Sequence, residues 1–213
     1  MPEKKNYMKT NHRIPYLFRV FFNKAIFRIN NNPNTIFLSF DDGPYPEYTP
    51  AILELLDKFK AKASFFCLGK NVELYPTLFQ SILKKGHTVG NHTHSHINGF
   101  KSSYKDYSED VKKASKLIKS KLFRPPYGNI SPIRYNKLLK DYKIVFWDVM
   151  PGDFTKGITS DQLTLNMIKH IKSGSIVVLH DQYIGEQHLL PALNNILQYY
   201  SGLGYNFCDL TNC

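Results

Sequence analysis

Two adjacent carboxylates, Asp41 and Asp42, follow the apolar run FLSF (37–40) and precede Gly43-Pro44. Like charges side by side at the end of a buried strand repel each other and lose hydration. A surface turn is the simplest account, since Asp-Gly and Gly-Pro are turn signals. The same relation recurs along the chain, however. HTVGN leads into His92 and His96, IVFW into Asp148 and Asp153, and SIVVL into His180-Asp181. Two imidazoles and one carboxylate with open positions make a catalytic metal site. His94, between the two, is expected to face elsewhere. A cation held by one of Asp41 and Asp42 would offset their repulsion and lower the pKa of the other. That second carboxylate could then act as general base toward a water acidified by the cation. His180 is the candidate acid for the leaving group, because imidazole titrates near neutrality.

These groups need a scaffold that brings strand ends together. Thr35–Phe40, ASFFCLG (63–69), HTVGNHT (87–93), YKIVFWDV (142–149), SIVVLHD (175–181) and YNFCDL (205–210) are the expected strands. Between them, helical spacing predicts helices over 49–60, 72–85, 102–121, 131–140, 159–172 and 186–200. Thr49 and Ser131, each before a proline, are expected N-caps. LFRPPYG (122–128) cannot be regular, because two prolines forbid it. Strands alternating with helices predict an α/β fold with a parallel sheet: a distorted (β/α) barrel of about seven strands in a single domain. In such folds the C-terminal strand ends share one rim, where sites form. Four apolar strands delivering acids or imidazoles to that rim exceed what packing alone requires.

The 213 residues are 42% hydrophobic and 14% aromatic, enough for a sizeable core and unlike a disordered chain. No apolar run approaches the roughly 20 residues of a membrane-spanning helix. The segment 13–29, RIPYLFRVFFNKAIFRI, is apolar but broken by Arg19, Lys24 and Arg28, so it does not look like a secretory signal. Residues 1–34 are therefore expected as an N-terminal extension, packed on the domain or resting on a membrane, before a domain over 35–213. The expected localisation is cytoplasmic or associated with the membrane and cell envelope. Net charge is +11, and the excess lies in segments 1–30 and 101–124. That distribution suits contact with an anionic membrane or cell-wall polymer, or solubilising lysines. Nucleic-acid binding is not expected, and the oligomeric state is open. Cys67, Cys208 and Cys213 match no zinc-ribbon or redox spacing, and a disulfide framework is not expected.

Taken in order, SFDDGP (39–44), GNHTHSH (90–96), RPPYG (124–128), WDVMPGDF (147–154) and IVVLHD (176–181) resemble the polysaccharide deacetylase family, the NodB-homology group also called carbohydrate esterase family 4. The resemblance runs from about Ile36 to Asp181. It implies removal of N-acetyl groups from N-acetylglucosamine units of chitin-like or peptidoglycan chains. It further implies that Asp41 is the base and that Asp42, His92 and His96 hold one divalent ion, zinc in the first place, with cobalt or nickel as alternatives. Arg124 would orient Asp41, the backbone N–H of Tyr127 would help hold the oxyanion, and His180 would be the acid. Asp153 would tune His180 or Arg124. Trp147, Leu179, Pro125 and Tyr127 would bind substrate, with Leu179 and Trp147 lining the pocket for the acetyl methyl group.

The fourth motif departs from the family pattern: Met150 stands where many members have Asp, and Phe154 where they have Trp. This bears on sugar stacking and on control of His180. Other readings give less of the chain a role. A non-haem iron oxygenase would use two His and a carboxylate but leave Asp41 and His180 idle. Another deacylase would act on a lipid-linked sugar, acetylxylan or a formyl group. A catalytically weak relative would only bind carbohydrate.

Overall fold

The computed structural model describes residues 14–30, 33–181 and 186–211. The basic residues Lys4, Lys5, Lys9 and Arg13, and Cys213, lie outside the described residues. The expected parallel architecture is present. Strands β1 (Thr35–Asp41), β2 (Ala63–Cys67), β3 (Thr88–Asn91), β4 (Leu122–Phe123), β5 (Lys143–Ile144), β6 (Ile176–His180) and β7 (Asn206–Phe207) form one curled sheet, a half-barrel consistent with a distorted (β/α) barrel. The order is β5-β4-β3-β2-β1-β6, with β7 also paired to β1, and every pairing is parallel. Helices α1 (Tyr16–Phe21), α2 (Thr49–Lys58), α3 (Gly69–Leu74), α4 (Pro76–Lys84), α5 (Tyr104–Leu117), α6 (Pro132–Leu138), α7 (Ser160–His170) and α8 (Glu186–Gly202) make up the rest, with a 3-10 turn at Pro126–Gly128.

Strand alternation divides the core. Ile36, Leu38 and Phe40 pack with residues of α2 and α8 in the main apolar cluster. Phe37, on the other face of β1, packs with Phe66, Leu122, Val145 and Ile176 inside the barrel. Ser39 and Asp41 share the face of Phe37, so β1 turns progressively more polar towards its C-terminal end. Continuous burial along all seven residues of β1 fits a strand covered on both sides.

Several local expectations change. The single helix predicted over 72–85 is two helices meeting at Tyr75, because the residue before Pro76 is pushed out of helical conformation. Only Lys143–Ile144 of the predicted strand 142–149 is regular. Thr49 is not an N-cap: α2 starts on it, Tyr48 precedes it, and the Thr49 hydroxyl accepts from the Tyr45 N–H at 2.7 Å. Ser131 does cap α6, accepting from the Arg134 N–H. Cys208 is disulfide-bonded, whereas Cys67 is a buried free thiol. The expectation against disulfides is corrected to that extent, since an odd cysteine count still leaves room for one bond.

The segment ahead of β1 fills the gap between β5 and β6, which do not pair. Ile26 bridges Val145, and Arg28 bridges Ser175. Phe22 and Phe27 are buried around Phe146, with Phe27 and Phe146 stacked at 5.1 Å between centroids. No described helix is long and apolar enough to cross a membrane.

Candidate active site

Asp41 closes β1 and is buried, paired in register with His180 at the end of β6. Its Oδ1 accepts from Arg124 Nη1 at 2.6 Å. Arg124 follows β4 and is fully buried. Three more of its five N–H donors are placed: Nη1 also reaches Ser39 Oγ at 2.9 Å, Nη2 the Phe146 carbonyl at 3.0 Å and Nε the Val145 carbonyl at 3.2 Å. The guanidinium carbon lies 4.0 Å from the Phe66 ring centroid. A buried cation held at so many points is a rigid support for one carboxylate oxygen. The second oxygen of Asp41 faces His92 Nε2 at 4.0 Å.

Asp42 stands next to it with a positive φ of 82°, so the chain turns sharply and the two side chains need not lie parallel. Its Oδ1 is 3.0 Å from His96 Nε2 and 3.5 Å from His92 Nε2. One donor atom from each of Asp42, His92 and His96 lies within 4.8 Å of the others. Burial pushes the Asp42 pKa up, but His96 and His92 outweigh it and hold the carboxyl well below the usual range. The donor set fits a divalent cation. His92 Nδ1 sits 2.7 Å from the Arg124 carbonyl oxygen. A carbonyl only accepts, so Nδ1 carries the hydrogen, and in the neutral ring Nε2 is a bare acceptor aimed at an acceptor carboxylate. A cation between them resolves that mismatch, and the carbonyl then fixes the ring of a ligand.

The loop bearing the histidines is tied down. Thr93 and His94 carbonyls accept from the N–H groups of Gly69 and Lys70, and the Ser95 N–H and hydroxyl both bond Asp110. His94 turns away from the other two and meets Lys113 at 2.7 Å. Four of the six non-glycine residues with positive φ in the described structure lie here: Asp42, Thr93, His96 and Tyr127. Such conformations cost about 1–3 kcal/mol each and persist where surrounding contacts enforce them. Tyr127 is 42% exposed, and its ring lies edge-on to His96 at 4.4 Å.

His180 is held from the opposite side. Asp153 accepts the His180 backbone N–H at 2.7 Å and approaches Nδ1 at 3.1 Å. Burial alone would lower the imidazole pKa, but the charge and hydrogen bonds of Asp153, with help from Asp42 and Asp41, raise it to about 9. Phe154 packs edge-on against the same ring at 5.3 Å. Of the two partners open to Asp153 in the sequence, its bonds go to His180.

Two sequence-based assignments are corrected. Leu179 does not line the site. It alternates with His180, so it points among the outer helices and is fully buried in the main apolar cluster. Val178 shares the His180 face instead. Asp148 does not reach the rim. It lies beside the first residues of β6, where its backbone N–H bonds the Ile176 carbonyl and its carboxylate bonds Arg19, Arg28 and Ser175. Trp147 is half-buried beneath the RPPYG turn, where a Cβ at Gly128 would come 2.9 Å from its ring, and Pro125 is buried in that turn.

The structure also adds Asn71, which pattern alone did not single out, and shows what Asp181 does. Asn71 donates to the Asp42 carbonyl at 2.7 Å. Asp181 is fully buried behind the Asp41-Asp42 turn. Its Oδ2 accepts from the Thr49 hydroxyl at 2.7 Å, and its backbone N–H donates to the Asp41 carbonyl at 3.2 Å. Burial pushes its pKa up to about 8, against the Thr49 and Gly43 hydrogen bonds. A Cβ at Gly43 would fall 2.0 Å from its carboxylate, so only glycine fits there. The Asp-Gly pair was thus a signal of close approach as well as of a turn.

Comparison with known proteins places the chain in a family. The family profile described as Polysaccharide deacetylase matches residues 28–146. A peptidoglycan-N-acetylglucosamine deacetylase of Bacillus cereus is 36% identical over 193 residues, covering 86% of this chain and 89% of that protein. A chitooligosaccharide deacetylase of Azorhizobium caulinodans is 32% identical, covering 72% and 77%. A crystal structure of a peptidoglycan N-acetylglucosamine deacetylase in complex with 4-naphthalen-1-yl-N-oxidanyl-benzamide superposes with a TM-score of 0.85 at 31% identity, covering 92% and 95%.

Proposed function

The chain belongs to the polysaccharide deacetylase family, and from that premise we propose that it hydrolyses the N-acetyl amide of N-acetylglucosamine units in a peptidoglycan or chitin-like glycan. One observation carries the reading. A possible cation site, a carboxylate pinned by a buried arginine and an imidazole pinned by a second carboxylate meet on neighbouring strand ends, with Asp41 and His180 in register.

Asp42, His92 and His96 would hold the ion, and zinc suits one carboxylate and two imidazoles. When bound, a divalent cation supplies Lewis acidity, lowering the pKa of a water toward ~7 and polarising the acetyl carbonyl. Asp41 takes the proton of the attacking water with the oxygen that Arg124 leaves unbound. Arg124 holds that carboxylate fixed in direction. The Tyr127 N–H donates to the oxygen on which negative charge develops, a role worth ~10²–10³ in rate where such donors have been removed. His180, protonated at neutral pH by virtue of Asp153, gives its proton to the sugar nitrogen as the C–N bond breaks. Acetate and the free amine are the products.

The test is acetate release from N-acetylglucosamine oligomers, peptidoglycan fragments and acetylxylan, before and after exhaustive chelation, with zinc added back. Acetate from the N-acetyl glycans that disappears with chelator and returns with zinc is expected. Undiminished turnover without metal would overturn the cation's role, and acetate from acetylxylan alone would replace the amide substrate by an ester.

A further inference from the structure

A glycan extends well past the sugar being hydrolysed, and the rim on either side of the site is unequal. On the β6 flank the aromatic residue of the fourth motif, Phe154, is 8% exposed and spends its ring on His180. The cleft beyond it is lined by Pro151, Thr155, Lys156, Gln162 and Asn166, without an aromatic ring among the described residues. On the β3 and β4 flank, Phe100 is 63% exposed, and Tyr104 and Tyr127 are about half exposed.

Phe100 is presented by a fixed turn. Its own N–H donates to Asn98 Oδ1 at 2.9 Å, and the Ser102 hydroxyl donates to the Asn98 carbonyl at 2.8 Å. The turn is clamped to the segment that follows Tyr127. A Cβ at Gly99 would lie 2.1 Å from the Asn129 carbonyl, an approach only glycine permits. The buried Arg134 donates from Nη2 to the Ser102 carbonyl at 2.5 Å. A phenylalanine left in water keeps apolar surface that burial would otherwise remove. One exposed ring is ordinary on a surface; Phe100 differs in being held by a rigid turn against the segment that carries Tyr127. The surface is continuous with the catalytic rim, since Tyr127 lies against His96 on one side and adjoins the Gly99–Asn129 contact on the other.

We propose that Phe100 is the platform of an accessory carbohydrate subsite. A pyranose ring of the glycan, distinct from the one losing its acetyl group, stacks on the exposed phenyl face. Chain length is thereby sensed on the β3 and β4 flank. This rests on the deacetylase reading above, yet it has its own readout.

Acetate release from N-acetylglucosamine oligomers of two to five sugars would be compared for the unaltered enzyme, Phe100→Ala and Phe100→Trp. Losing one stacked aromatic contact costs up to about tenfold in affinity. Phe100→Ala is therefore expected to raise KM for the pentamer about tenfold, with kcat within about twofold and kcat/KM for the dimer unchanged. Phe100→Trp should restore the long-chain KM. Equal kinetics at every length, or an equal loss at every length, would overturn the subsite. Calorimetric titration with the pentamer separates the two readings. An unaltered protein that releases no acetate but binds the pentamer about tenfold more tightly than Phe100→Ala ends the deacetylase reading and keeps the subsite. Equal affinity ends the subsite.

Discussion

Two buried aspartates, Asp41 and Asp148, sit at opposite ends of the strands, and both face arginine. Their pairings differ in completeness. Both oxygens of Asp148 are engaged: Oδ1 by Arg19 at 2.8 Å, Oδ2 by Ser175 at 2.7 Å and by Arg28 at 3.4 Å. Asp41 gives one oxygen to Arg124 and turns the other toward the possible cation site. The first arrangement satisfies a buried charge and fastens the N-terminal segment to the barrel. The second compensates the charge but keeps a lone pair available. In this fold, a saturated acid is structural, and a half-satisfied one is where a proton can go.

That contrast is sharpest for Asp41→Asn. The amide keeps a hydrogen-bond acceptor for Arg124 but cannot take a proton. Turnover should fall by about 10²–10⁴, the usual worth of general base catalysis, while the bound metal stoichiometry and the urea midpoint stay close to those of the unaltered protein. Loss of metal together with activity would place Asp41 among the ligands instead. Asp153→Asn tests the opposite wall. In the proposed mechanism His180 acts protonated, so activity is expected to decline as pH rises through its pKa, held near 9. Without the carboxylate the descending limb of kcat/KM should move toward the ordinary imidazole value near 6.5, and activity at pH 8 should drop roughly thirtyfold by that displacement. An unmoved limb would show that Asp153 only positions the ring. Asp148→Ala should have the smallest effect on chemistry, with kcat within about twofold. It should cost about 2 kcal/mol of stability, read from urea unfolding. The cost is moderate because Arg19 and Arg28 keep 30% and 25% of their side-chain surface in water and can rehydrate. A selective loss of turnover would erase the distinction between the two acids.

The contrast also separates what the chain revealed from what it hid. Asp42, His92 and His96 were legible because each follows an apolar run, and parallel topology sends such runs to one rim. Arg124 and Tyr127 were legible only as parts of RPPYG. Asp148 misled because adjacency to IVFW suggests a strand end, whereas the regular strand stops at Ile144 and the following segment runs beside β6 from its start. Leu179 misled by one residue, since neighbours on a strand face opposite ways. Thr49 advertised a helix cap, but its hydroxyl belongs to a chain of hydrogen bonds from Tyr45 to Asp181 that only tertiary structure creates. The Tyr75 break in the second predicted helix was in principle readable from Pro76, although helical periodicity runs straight across it.

Arg124 is where the two halves of the site become inseparable. Its guanidinium orients Asp41, while its own carbonyl, a few bonds away, sets the tautomer of His92. In the proposed mechanism, any displacement of the two-residue strand β4 would therefore detune nucleophile activation and ion affinity in the same stroke. Grafting longer loops at that point to reshape specificity would carry this penalty, whereas the neighbouring turn around Phe100 offers a place to alter preference while leaving the centre intact.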